Sequence, residues 1–244
     1  MTSKRRRTAK NVTRDRQVDP SPAAMEKRLR KEEAQRARQK ARRRAEQRGF
    51  LRKSAIGALA VIAVASGLFL LRRSTSPKPV NAAAVAAGQT AGCGDIQQPD
   101  GSSPDRTHLD PGQTYQYPNE PATAGPHDPS LLPPDPHVYD SPVPETRAVH
   151  NLEHAYVLIY YRQSGRDALP QAVVSSLRSV ANAQTKVIMV PHPALPEGTA
   201  LALTAWNRLW ECPATITTDQ ATTVATGFVD AYRGTSNAPE PRAA

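Results

Sequence analysis

Hydrophobic and polar positions divide the chain into unlike parts. Ser54 to Leu71 (SAIGALAVIAVASGLFLL) is an unbroken run without a charge, bounded by Arg52-Lys53 and Arg72-Arg73. At about 1.5 Å rise per residue it reaches about 27 Å, the minimum for a transmembrane helix. Before it, residues 23–49 are rich in helix formers but carry almost no apolar stripe, which predicts a solvated helix with no core to join. Pro22 suits its first turn, after Ser21 as cap. After it, Ser74 to about Gly92 is rich in Ser, Pro and Ala and reads as a linker. Residues 93–149 are proline-rich with few apolar runs and predict irregular structure wrapped on a core.

Regular patterning begins near Ala155. Tyr156–Tyr161 (YVLIYY) predicts a buried strand. Within 167–182, Leu169, Val173, Leu177 and Val180 recur at helical spacing. Lys186–Val190 predicts a second strand and Leu201–Trp206 a third, with Trp206 and Trp210 in the core. Thr218–Tyr232 places Val224, Phe228 and Tyr232 on one helical face behind a Thr cap. The expected fold is α+β: a small mixed sheet with two packed helices, in the order strand-helix-strand-strand-helix. The expected boundaries are a basic, partly helical tail (1–53), a transmembrane helix (54–71), a linker (72–92), a globular domain (93–233) and a disordered C-terminus (234–244).

Charge sharpens this division. The net charge is +10, yet residues 1–53 carry a net +14 and residues 79–244 a net −7. The high pI therefore belongs to the tail, and the tail lacks the aromatic interleaving of a nucleic-acid surface, so no nucleic acid is expected as partner. The cationic bias places the N-terminus in the cytoplasm, near anionic lipid headgroups, and the globular domain on the far side of the cell membrane. A 53-residue leader is too long for an ordinary signal peptide. In an oxidising compartment Cys93 and Cys212 predict a disulfide, the alternative being two unpaired thiols.

All six histidines, His108, His127, His137, His150, His154 and His192, lie beyond the linker. Three stand out by context. His127 follows a Gly125-Pro126 turn. His150 and His154 stand in VHNLEH, directly before the first strand. In a helix their Cα atoms lie about 6 Å apart, close enough to share an ion; in a strand they lie about 13 Å apart. A shared site thus requires a helical turn at 149–154, where Glu153 becomes a ligand or supports one. The spelling H-x-x-E-H also matches a zinc-protease signature, but that signature needs a long helix and a downstream carboxylate ligand. Backbone hydrogen bonding by structural histidines is the plain alternative.

The blocks YPNEPATAGPH (117–127), VHNLEHA (149–155) and LALTAW (201–206), in this order, resemble the bacterial family known as domain of unknown function 3105. The resemblance covers roughly residues 92–233 and implies that His127, His150 and His154 act as one constellation; it implies no activity. Ala122 and Ala124 depart from the family's Pro and Ser, and Ala155 from its Gly, which restricts the backbone beside the site. The leading expectation is a membrane-anchored domain binding copper or zinc through His127, His150, His154 and Glu153. Two alternatives stand beside it: a non-catalytic envelope protein with structural histidines that binds a partner protein, and a hydrolase using a metal-bound water. Whether the domain is an enzyme stays open.

Overall fold

In the computed structural model, residues 22–101 and 104–242 are described; within the first helix the backbone alone is described at 22–24, 45–60 and 68–74. The expected tail at 1–21 lies outside the described residues. The chain forms two units, Met1–Leu68 and Phe69–Ala244.

The first unit is built on α1, which runs from Pro22 to Thr75. Its described side chains from 25 to 44 are all exposed, as a sequence polar on every face requires. Glu26 and Arg30 pair one turn apart at 2.5 Å. The apolar run 54–71 belongs to this same helix. The expectation of a transmembrane helix, and with it single-pass topology and a cell-membrane location, is corrected here. Among the described residues no helix is long and apolar enough to cross a membrane.

The second unit holds a four-stranded sheet: β1 (Val157–Tyr161), β2 (Val187–Pro191), β3 (Leu201–Ala205) and β4 (Arg208–Cys212), in spatial order β2-β1-β3-β4. β1 and β2 are parallel, and the helix Gln171–Asn182 connects them in sequence. β3 returns antiparallel to β1, and β4 pairs with β3 across the two-residue turn Trp206-Asn207. The α+β class and the three expected strands stand; β4 adds a fourth. Its sequence, RLWEC, gives weak strand patterning, with Arg208 and Glu211 only partly buried.

Period-two alternation sends β1 side chains to two cores. Val157, Ile159 and Tyr161 face the helices Gln171–Asn182 and Thr218–Tyr232 in one cluster. Leu158 and Tyr160 face Val149, Leu152, Trp206 and the irregular segment in the other. The proline-rich stretch thus packs on this sheet face, through Ala122, Ala124 and Leu132. It also protects the edges: Val138 bridges Met189 on β2, and Gln97 bridges Leu209 on β4.

Three segments depart from their sequence reading. Ala82–Ala91, within the expected linker, is a helix (α2), capped by Asn81 and stopped by Gly92 at φ 81°. It packs on the helix Thr218–Tyr232, where Gly227 meets Ala84, and Gly88 meets the Trp210 ring. Glu145–Glu153 is also helical (α3), which makes Gln171–Asn182 α4 and Thr218–Tyr232 α5. The α5 start is closed by a Thr217–Gln220 capping box. The C-terminal segment, expected to be disordered, is held to the domain as far as Pro241: Ala238 is buried, the Glu240 N–H donates to the Glu153 carbonyl at 3.0 Å, and Lys186 Nζ donates to the Pro241 carbonyl at 3.2 Å. Cys93 and Cys212 form a disulfide, tying the end of α2 to β4 across a sequence separation of 119.

Candidate metal centre

The block VHNLEHA divides its side chains among three tasks. Val149 and Leu152 enter the core beneath α3. Asn151 clamps the irregular segment, its amide donating to the Leu132 carbonyl at 3.1 Å and its oxygen accepting from the Leu132 N–H at 2.8 Å. His150 and Glu153 point to the remaining side, toward the 106–128 segment. His154 is the C-cap of α3, and Ala155 leaves the helix at φ 61°. That is the left-handed region, where a glycine is at ease and an alanine is strained.

His127 arrives from the opposite direction. Tyr117 donates its hydroxyl to the Pro126 carbonyl at 2.6 Å and lies against Gly125, which holds φ 119°. This braced turn delivers His127 completely buried. A backbone bridge then brings His108 beside it: the Leu109 N–H donates to the His127 carbonyl at 2.8 Å, and the His127 N–H to the Thr107 carbonyl at 3.0 Å.

One donor atom from each of His108, His127, His150 and Glu153 lies within 4.8 Å of the others. The three imidazole centroids form a nearly regular triangle, with sides of 4.9, 5.2 and 5.0 Å. Imidazoles on a tetrahedral ion with metal–nitrogen bonds of about 2.0–2.1 Å would stand about 5 Å apart, centroid to centroid. Glu153 Oε2 is 3.1 Å from His127 Nε2 and 3.9 Å from His108 Nε2.

Hydrogen bonding behind the rings sets their tautomers. A carbonyl can only accept, so Nδ1 of His127 donates to Gly125 O at 2.8 Å, and Nδ1 of His150 to Asp128 O at 2.7 Å. Each ring in its neutral form therefore turns an Nε2 lone pair inward, the arrangement that metal-bound imidazoles adopt. For His127 this puts a lone pair against a carboxylate oxygen. Either a proton or a cation must lie between them.

The Glu153 carboxylate is shared. Oε1 accepts from Arg106 Nε at 2.6 Å while Oε2 faces the histidines. Burial pushes its pKa up, but the Arg106 hydrogen bond and the His127 charge outweigh burial and hold it below the usual carboxylate range. Burial lowers the pKa of His150, opposed by its bond to Asp128 and aided by the neighbouring His127, His154 and His108.

The structure brings His127, His150 and Glu153 into one group. His154 stands beside the group, its Nε2 3.1 Å from His150 Nε2, and belongs with Glu153 and Glu240 in an adjoining cluster. His108, Arg106 and Glu240 were not singled out by the sequence reading. No local signal marks them, because a backbone bridge and a returning C-terminus bring them in. His137 is structural, its ring bonded to the Val187 carbonyl at 2.9 Å.

The fold and the site define a small α+β domain with a three-histidine, one-carboxylate cluster, buried except for the exposed His108, that could hold a metal ion. Residues 108–244 match the family described as Protein of unknown function (DUF3105), and the chain belongs to that family. No curated protein and no solved structure matches the chain.

Proposed function

We propose that this domain binds one transition-metal ion, zinc or copper, through His108, His127, His150 and Glu153. The observation that carries the reading is the imidazole triangle with its Nδ1 atoms tied to carbonyls, beside a carboxylate anchored by Arg106. Imidazole donors suit zinc and copper, and copper(II) binds such a set more tightly. Four protein donors fill a tetrahedral shell, which favours metal binding over hydrolysis by a metal-bound water. His154 sits outside the four and supports the site through His150.

The test uses the full chain, purified without chelator or histidine tag and analysed for metals by mass spectrometry. About one ion per chain is expected, with that ion lost in His127→Ala and His150→Ala. A chain that stays metal-free after incubation with zinc and with copper would leave His127 and Glu153 as a plain buried ion pair.

A further inference from the structure

A second group lies at the other end of α3. Glu145 opens this helix, about 12 Å along the axis from Glu153. His192 follows β2, its backbone N–H donating to the Tyr161 carbonyl at 2.9 Å. Its Nε2 lies 2.9 Å from Glu120 Oε1 and 3.6 Å from Glu145 Oε1. One donor atom from each of the three lies within 4.8 Å of the others. Glu145 Oε1 also accepts from the Ala122 N–H at 2.6 Å, so the turn carrying Glu120 is fastened to the helix carrying Glu145. Two carboxylates held this close repel each other, and one imidazole offers them little compensation.

Tyr160 supplies an independent observation. It is 1% exposed and lines, with Glu145 and His192, a cleft of about 210 Å³. Its hydroxyl has no hydrogen-bond partner, and neither has His192 Nδ1, although the two rings meet edge to face at 5.0 Å. Asn119, next to Glu120, also buries its side-chain oxygen without a donor. Buried polar atoms are seldom left unmatched, and these border a pair of carboxylates.

We propose that Glu120, Glu145 and His192 form a second cation site, for a divalent ion that accepts mixed oxygen and nitrogen ligands, such as Mn²⁺. The cleft beside Tyr160 gives room for water to complete the coordination shell, with the Tyr160 hydroxyl as its hydrogen-bond partner. Two carboxylates and one imidazole make a harder donor set than three imidazoles, so the two sites differ in the ions they prefer.

Mn²⁺ titrated into the full chain, with free Mn²⁺ counted by electron paramagnetic resonance, tests this. One bound Mn²⁺ is expected, lost in His192→Ala and in Glu120→Gln but kept in the His127→Ala, His150→Ala double variant. Tyr160→Phe provides a variant that keeps its fold. It should weaken Mn²⁺ binding by about ten- to a hundredfold, as loss of a supporting hydrogen bond does, while the metal-free protein melts at or above the wild-type temperature. The proposal is overturned if no Mn²⁺ binds at millimolar concentration, if His192→Ala binds as tightly as wild type, or if the His127→Ala, His150→Ala variant loses the ion. The last result would place Mn²⁺ at the three-histidine site and leave that reading intact.

Discussion

His150 shows how one residue carries both a structural and a titrating role. Its ring is fixed by Asp128 O and faced by His108, His127 and His154, and burial holds its pKa below the ordinary 6.5. A depressed histidine pKa means that the unfolded chain takes up a proton which the folded chain resists. The stability tied to this group is complete above about pH 6.5 and is lost as pH falls through the lower folded value. Glu153, also depressed, adds a second loss below its ordinary 4.5. Melting temperatures of the metal-free protein should therefore fall as the pH is lowered through this range. The fall that begins below about pH 6.5 should be shallower in His150→Gln, whose side chain does not titrate. A variant as steep as wild type would assign the slope to other groups.

At the scale of elements, close packing of α2 against the sheet and α5 depends on two glycines. Replacing a mid-helix glycine by alanine ordinarily stabilises by about 1 kcal/mol. Here a Cβ at Gly88 would run into the Trp210 ring, and one at Gly227 into Ala84. Overpacking of this kind costs about 1–3 kcal/mol, so the clash outweighs the propensity gain. Gly88→Ala and Gly227→Ala are each expected to lower the unfolding free energy in urea, and a rise would mean that α2 shifts freely on α5. The same pair explains why Ala82–Ala91 reads as linker in one dimension. Its small residues fit a groove that other parts of the chain provide.

For the whole molecule, the disulfide is the main covalent constraint. It closes a loop containing the irregular segment, α3, the entire sheet up to Cys212 and both histidine groups. In the chain-entropy model, closure of about 100 residues stabilises by about 4–5 kcal/mol, a large part of the roughly 5–15 kcal/mol typical of a domain. The Cys93→Ala, Cys212→Ala variant should lose stability on this scale in denaturant titrations. A loss of less than about 1 kcal/mol would show that packing alone holds α2 to β4.

The strands Val157–Tyr161, Val187–Pro191 and Leu201–Ala205 and the helix Thr218–Tyr232 were legible from local pattern, because the burial periodicity of each is written within a few consecutive residues. The disulfide followed from there being two cysteines, and three of the four clustered residues from a Gly-Pro turn and the i, i+4 pair His150 and His154 with Glu153 beside it. The apolar run 54–71 was legible as a helix, but its length and flanking charges overstated what the described residues of α1 support. Tertiary structure alone decided the rest. β4 needed β3 as a template, α2 needed the surface of α5 and Trp210, and His108 needed a backbone bridge to His127. Arg106 and Glu240 meet from positions 134 residues apart. Such contacts arise from the closure of long loops around a finished core, and no short window of sequence contains them.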